Sequence, residues 1–164
     1  MIVDPRNFPR EACAIGAALD HLGDRWTLLV LREAFFGVRR FEELRRNTGA
    51  ARNILADRLA RLVDAGILRR EQYSERPPRD EYRLTEKGLD LYPVLITLAN
   101  WGTKWGDFEL GPAVSLQHRS CGAVVQPALT CPECGEAVEA RSMRVVPGPA
   151  MLAAAGDGAA AESG

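Results

Sequence analysis

From residue 13 to residue 66 the apolar positions recur at helical spacing, and glycines or turn residues punctuate the runs. CAIGAALDHL, residues 13–22, reads as a short helix closed by Gly23, preceded by an N-terminal arm, residues 1–12, that carries Pro5 and Pro9. Asp24 stands where it can cap a second helix, RWTLLVLREAFFG. In that helix Trp26, Leu28, Leu29, Leu31 and Phe35 form a wide apolar face, and Gly37 ends it. FEELRRN, residues 41–47, is a third, short helix with Phe41 and Leu44 turned inward. After Thr48-Gly49, Leu55, Leu59 and Leu62 recur at i, i+4 and i+7 beside Val63, and Gly66 follows as the helix stop. Asn53, Asp57, Arg61 and Asp64 fall on the opposite face, with Arg58 at its border.

The period then changes to two. ILRREQY, residues 67–73, and RDEYRL, residues 79–84, alternate as two strands around the turn-forming tip SERPP. Thr85-Glu86 caps a following helix that Pro93 kinks or restarts. There Leu91, Leu95, Leu98 and Trp105 make one stripe, which Val94, Ile96 and Trp101 widen. So much apolar surface exceeds the needs of one small core, and the segment 86–107 reads as a dimerisation helix. Helix, helix, short helix, turn, helix, hairpin is the order of a winged helix-turn-helix. The expected fold class is mainly α with a small β-hairpin wing over residues 13–108, followed by a linker at 109–116, a small zinc-binding module at 117–150 and a disordered tail at 151–164.

Composition adds bounds. The chain has 164 residues, 46% hydrophobic and 26% charged, enough for one ordinary domain and a small appendage. No apolar run approaches the roughly 20 residues of a membrane span. MIVDPRNFPREAC lacks the layout of a signal peptide, so a cytoplasmic protein with reduced cysteines is expected. The net charge of −1 conceals a local excess: from Arg39 to Arg83 there are twelve arginines against eight acids. A patch of that size is a solvated face unless the fold aims it at a partner.

HRSCGAVVQPALTCPECG, residues 118–135, holds three of the four cysteines and one of the two histidines. Metal site, disulfide framework and reactive centre are all open to such a set. His118-x2-Cys121 and Cys131-x2-Cys134 are two chelating pairs with the soft donors that Zn²⁺ takes, and a reducing compartment favours metal over disulfide. Four protein donors leave no position for water or substrate, so such a zinc ion is structural. Residues 116–146 carry too few apolar side chains to fold on their own, and the ion would serve as their core.

Several segments, in order, resemble the HxlR-type transcriptional regulators, relatives of the MarR group: Cys13 followed by ALDHLGDRWTLLVLRE, then RRFEELRR, RLARLVDAGIL, PPRDEYRLTEKG and LANWG. The resemblance covers about residues 11–107, and His118 onward is similar to an extension that some members carry. It implies a homodimeric winged-helix protein that binds double-stranded promoter DNA, with an inducer that the sequence leaves unspecified. Some members also use a cysteine at the position of Cys13 to sense oxidants or electrophiles; Arg25 or the helix start would activate it, and the bland alternative is a small buried thiol. One stretch departs from the family pattern. Where Ser or Thr commonly opens the recognition helix, this chain has Ala50-Ala51-Arg52-Asn53-Ile54.

A recognition helix reads base edges from its N-terminal half, which nominates Arg52, Asn53, Asp57 and Arg58, with Arg61 on the same face. Asp57 and Arg61 are equally an (i, i+4) ion pair, and Arg58 is equally a structural partner of Glu42 or Glu43. Arg39 and Arg40, before the short helix, and Arg76 and Arg79, beside the wing-tip prolines, suit phosphate or minor-groove contact. Two such readers on a symmetric dimer imply a pseudo-palindrome with half-sites roughly 34–36 Å apart. An enzyme is not expected: His21 stands alone, and neither a G-x-G-x-x-G nor a P-loop pattern occurs. The alternative to a regulator is an adaptor that docks protein partners through the zinc module.

Overall fold

The computed structural model describes residues 13–76, 78–109 and 111–153. The expected arm, 1–12, and residues 154–164 of the expected tail lie outside the described residues. Among the described residues the elements run α1 (Ala14–Leu22), α2 (Arg25–Phe35), α3 (Phe41–Thr48), α4 (Arg52–Asp64), β1 (Leu68–Glu75), β2 (Pro78–Leu84), α5 (Glu86–Leu89), α6 (Tyr92–Trp105), β3 (Leu116–Gln117) and β4 (Val124–Val125). No helix among them is long and apolar enough to cross a membrane. The chain divides into two units; one is residues 21–129, and the described part of the other is residues 13–20 and 130–153. The expected linker at 109–116 falls within the first unit.

The core of the first unit is the inner face of three helices closed by the start of the hairpin. Val30, Leu31, Leu44, Leu55, Leu59, Leu62, Ile67 and Leu68 are buried, with Phe41 and Val63 packed against them. The spacing of Leu55, Leu59 and Leu62 thus seats α4 as expected. Asp24 caps α2: Oδ1 accepts the N–H groups of Trp26 at 2.9 Å and Thr27 at 3.1 Å, and the Thr27 hydroxyl donates to Oδ2 at 2.6 Å. The buried carboxylate of Glu33 accepts from Arg32 beside it and from the Asn47 amide at 2.7 Å, which ties α2 to the end of α3. A buried charge held by two donors is far cheaper than an isolated one.

The turn between α3 and α4 passes through Gly49 in the left-handed region, φ 73°. Here the departure from the family pattern finds a physical reason. Ala50 is buried in the core, where a hydroxyl would lack room to be hydrated, and Ala51 stands at the N-cap of α4 without a side-chain bond. Thr48 takes over part of the work: its hydroxyl donates to the Leu44 carbonyl at 2.7 Å and accepts the Ala50 N–H at 3.3 Å.

β1 and β2 pair antiparallel from Leu68↔Leu84 to Glu75↔Pro78, with an irregularity between Gln72 and Ser74. The strands therefore reach further into the tip than the SERPP signal suggests. One extra residue, Tyr73, is absorbed by that irregularity, and pairing resumes beyond it at Ser74↔Arg79. Arg40 bridges to Glu81, and the Tyr82 N–H donates to the Arg39 carbonyl at 2.8 Å, so the residues before α3 flank the wing as a third, minimal strand.

Pro93 restarts the helix, as expected, separating α5 from α6. The expected stripe on α6 is divided rather than continuous. Leu91 and Leu95 pack against the core and Ile96 is buried, whereas Leu98 and Trp105 join Val94 and Trp101 on an exposed face. Positions 94, 98, 101 and 105 are spaced by four, three and four residues, so they form one narrow seam of the helix. Beyond α6, β3 and β4 form a two-residue antiparallel ladder, and the Asn100 amide of α6 donates to the Pro127 carbonyl at 2.7 Å. In the second unit Thr130 bridges to Ala137. Residues 149–153 form a helical turn, so 151–153 do not belong to a disordered tail.

Candidate nucleic-acid interface

Burial of Leu55, Leu59 and Leu62 fixes which side of α4 is left free. Arg52, Asn53, Asp57 and Arg61 all lie exposed on that side, with the Arg52 and Arg61 side chains 69% and 70% accessible. Arg52, Asp57 and Arg61 are partnered. Arg52 pairs with Glu42 of α3 and lies over the Phe41 ring at 5.3 Å, and Glu42 also accepts from Arg45 at 3.0 Å. The Arg45 bond first, then Arg52, holds the Glu42 carboxyl below its ordinary range. Asp57 and Arg61 form the (i, i+4) pair at 3.0 Å. Such exposed pairs exchange readily for phosphate or base partners, because each is worth at most about 1 kcal/mol.

Arg58 differs from its neighbours. Its side chain is 20% accessible, and its partners are Asp57 and the α2 cap Asp24 rather than the expected Glu42 or Glu43. Nε lies 2.9 Å from Oδ2 of Asp24, an ion-pair distance at an angle that makes no hydrogen bond. The reason is the direction of the helix border. Arg58 faces the N-terminus of α2, while Glu42 is occupied by Arg45 and Arg52. Arg58 therefore acts as a strut between α2 and α4 and is less exposed than Arg52, Asn53 and Arg61.

Burial raises the Asp24 carboxyl, but the Thr27 hydroxyl and N–H and then the Arg58 guanidinium outweigh it and leave its pKa below the ordinary value. A depressed folded-state pKa contributes stability that is present above the unfolded pKa, about 3.9, and is lost as pH falls through the folded value. Asp24→Asn keeps a capping side chain and removes the charge. In denaturant unfolding, its deficit against the wild type should be full above about pH 4 and should shrink toward zero in more acid solution. A deficit independent of pH would refute the charge's part.

The wing carries the second set of cations. Arg79 on β2 and Arg76 at the tip are exposed, as are Arg39 and Arg40. Arg40 lies over the Tyr73 ring at 4.8 Å, a partner that the sequence alone did not suggest; the signal was an aromatic at the one position that the hairpin register skips. Further back, Arg39, Arg69 and Arg83 line an open cleft of about 190 Å³ with Ala34, Gly37, Tyr82 and Leu84. Arg69, followed by Arg83 and Arg39, draws the Glu71 carboxyl below its ordinary range. The α4 face, the wing and the residues before α3 thus belong to one arginine-rich unit.

The remaining candidates sit elsewhere. Cys13 is a free thiol at the start of α1, where its sulfur accepts the Gly16 N–H at 3.3 Å; Arg25 stacks on the Trp26 ring at 4.2 Å. His21 is exposed in the last turn of α1. His118 and Cys121 occupy the turn between β3 and β4, with Nδ1 and Sγ 3.3 Å apart. Cys131 and Cys134 lie in a second turn, where N–H groups of Cys134 and Glu133 pull the Cys131 thiol below its ordinary value. Among the described residues, no group of three or more His, Cys, Asp or Glu side chains stands together as a metal-holding cluster.

A family model described as an HxlR-like helix-turn-helix matches residues 21–109. The uncharacterized HTH-type transcriptional regulator Rv3095 of Mycobacterium tuberculosis (strain H37Rv) is 47% identical over 153 residues, spanning 93% of this chain and 97% of its own length. So long a match leaves too few residues at the ends to omit the His118–Cys134 stretch. Among solved structures, PA1607, described as a candidate transcription factor, superposes with a TM-score of 0.73 at 34% identity, over 82% of this chain and 94% of that one. The redox regulator HypR in its oxidized form gives a TM-score of 0.55 at 33% identity, over 58% of this chain and 100% of that one. The chain belongs to the HxlR-like helix-turn-helix family and is a transcription regulator, a DNA-binding protein rather than an enzyme.

Proposed function

We propose that the protein acts in the cytoplasm as a homodimer that reads a pseudo-palindromic operator, inserting α4 of each copy into successive major grooves and laying each wing along the flanking backbone. The observation that carries this reading is the division of labour within one unit: a core-seated α4 with an outward Asn53 and Arg52, beside a wing rich in exposed arginine. Asparagine can make two hydrogen bonds to the major-groove edge of adenine and arginine two to that of guanine, whereas wing arginines meet phosphates that carry no sequence. The exposed seam of Val94, Leu98, Trp101 and Trp105 supports a second copy as the partner of α6.

Two substitutions separate the roles. Asn53→Ala should weaken operator binding by about 1–3 kcal/mol per half-site while leaving non-specific binding unchanged. Arg76→Ala with Arg79→Ala should weaken operator and random DNA alike and flatten the dependence of log K on log salt by about 0.9 for each phosphate no longer neutralised. Titration of both variants against operator and scrambled duplex at several salt concentrations decides. Equal losses on both duplexes for Asn53→Ala would remove it from base reading.

The same regulator responds to thiol chemistry at Cys13 in this reading. Support comes from the sulfur's place at a helix N-terminus, where it accepts a backbone N–H, and from the similarity to a redox regulator. Treatment with an oxidant or alkylating agent should change operator affinity in the wild type and leave Cys13→Ser unaffected. An identical response in both proteins would eliminate Cys13 as the sensor.

A further inference from the structure

We propose that Tyr73 is a positioning residue for DNA binding: its ring holds the Arg40 guanidinium between α4 and the wing, with the N–H groups left for a backbone phosphate. The inference rests on the DNA-reading arrangement proposed above. Arg40 ends the stretch before α3 and bridges to Glu81 of β2, and Glu81 in turn pairs with Glu71 of β1. β2 therefore lies between Arg40 and β1. Two strand spacings of about 4.8 Å each separate the Arg40 backbone from the strand that carries Tyr73. Only a long side chain laid across β2 reaches that far. Arg40 does so, and its guanidinium carbon lies 4.8 Å from the centre of the Tyr73 ring. That is inside the roughly 6 Å over which the ring quadrupole attracts a cation. The irregularity of the hairpin supplies the ring. Tyr73 is the one residue from Leu68 to Glu75 that has no partner on β2, and an extra residue of this kind re-aims a side chain.

What distinguishes Arg40 is what the stack leaves free. Arg45, Arg52, Arg61, Arg69, Arg70 and Arg83 each stand against a carboxylate, which a phosphate must first displace. Arg52 lies over a ring too, Phe41 at 5.3 Å, yet it still pairs with Glu42. Arg40 has no carboxylate partner among the described residues. A ring covers the flat face of a guanidinium, whereas its five N–H groups lie in the plane, so the stack fixes the side chain without consuming a donor. An arginine already held in place loses less rotamer freedom when it meets a phosphate than a loose one does. The place suits the task. Phe41, next in the chain to Arg40, lies under Arg52 of α4, and Tyr73 belongs to the wing. The fixed charge thus stands between the two parts assigned to DNA, and a phosphate there carries no sequence.

Binding of the full-length protein to a duplex of random sequence, measured at several salt concentrations, tests this. Arg40→Ala is expected to weaken binding and to flatten the dependence of log K on log salt by about 0.9 for each phosphate no longer neutralised. Tyr73→Leu keeps an apolar side chain without a ring and should weaken binding about two- to fivefold for each stack lost. Tyr73→Phe keeps the ring and should bind as the wild type does. In the Arg40→Ala background, Tyr73→Leu should cost nothing further. That comparison separates positioning from damage to the hairpin, because a misfolded wing would lose affinity in either background. A Tyr73→Leu loss that persists without Arg40 would overturn the inference, as would wild-type binding by Tyr73→Leu or an equal loss in Tyr73→Phe. Arg40→Ala with unchanged affinity and salt dependence would overturn it as well. A wild type that binds no duplex even at low salt would instead bring down the DNA-reading arrangement, and this inference with it.

Discussion

Glutamate at both Leu98 and Trp101 is expected to convert the proposed dimer to a monomer and to abolish operator binding, with the winged-helix unit still folded. Leu98 is 47% and Trp101 65% exposed on a helix that turns Leu95 and Ile96 inward instead, so the substitutions do not disturb the core. In a two-fold interface each substitution counts twice. Removing four apolar side chains at about 1.5 kcal/mol or more apiece gives at least roughly 6 kcal/mol. That is about four orders of magnitude in the dimer dissociation constant. Ala99→Glu, exposed but off the seam, is the control and should leave the dimer intact. Sedimentation equilibrium at micromolar protein reads the mass, and thermal melting reads the fold. A double variant that stays dimeric would move the interface away from α6.

Leu59→Ala should cost about 2–5 kcal/mol, through lost burial and the cavity left behind. The side chain is fully buried at the centre of the α4 face that meets α2 and α3. Against a typical domain stability of about 5–15 kcal/mol, this shifts the denaturant midpoint strongly while the slope of the transition stays near the wild-type value. A loss of operator binding that tracks the unfolded fraction would be the functional consequence. A cost under about 1 kcal/mol would mean that α4 is not anchored as its packing indicates.

How far the sequence was legible depends on whether the decisive partner was local. The leucines of α4, the Asp24 cap and the Pro93 restart are local signals, and each element formed where it was expected. Partner choice is not local. Arg58 meets Asp24 across the core because Glu42 is held by Arg45 and Arg52, and no periodicity encodes that competition. The α6 pattern showed an excess of apolar residues but not which of them the core would claim, since Leu95 and Leu98 are equivalent until α2 is in place. Ala50 looked like the loss of a capping hydroxyl and proved to be a buried packing residue. The stacking of Arg40 on Tyr73 depends on a register irregularity that alternation alone does not reveal.

Selection from a random duplex library with the purified protein, followed by binding of the enriched pool at rising salt, tests the regulator reading most directly. The expected result is a two-fold symmetric consensus with half-sites roughly 34–36 Å apart, at which each mismatch costs about 1–3 kcal/mol. A pool without consensus, whose binding disappears steeply with salt as a purely phosphate-driven association does, would contradict it.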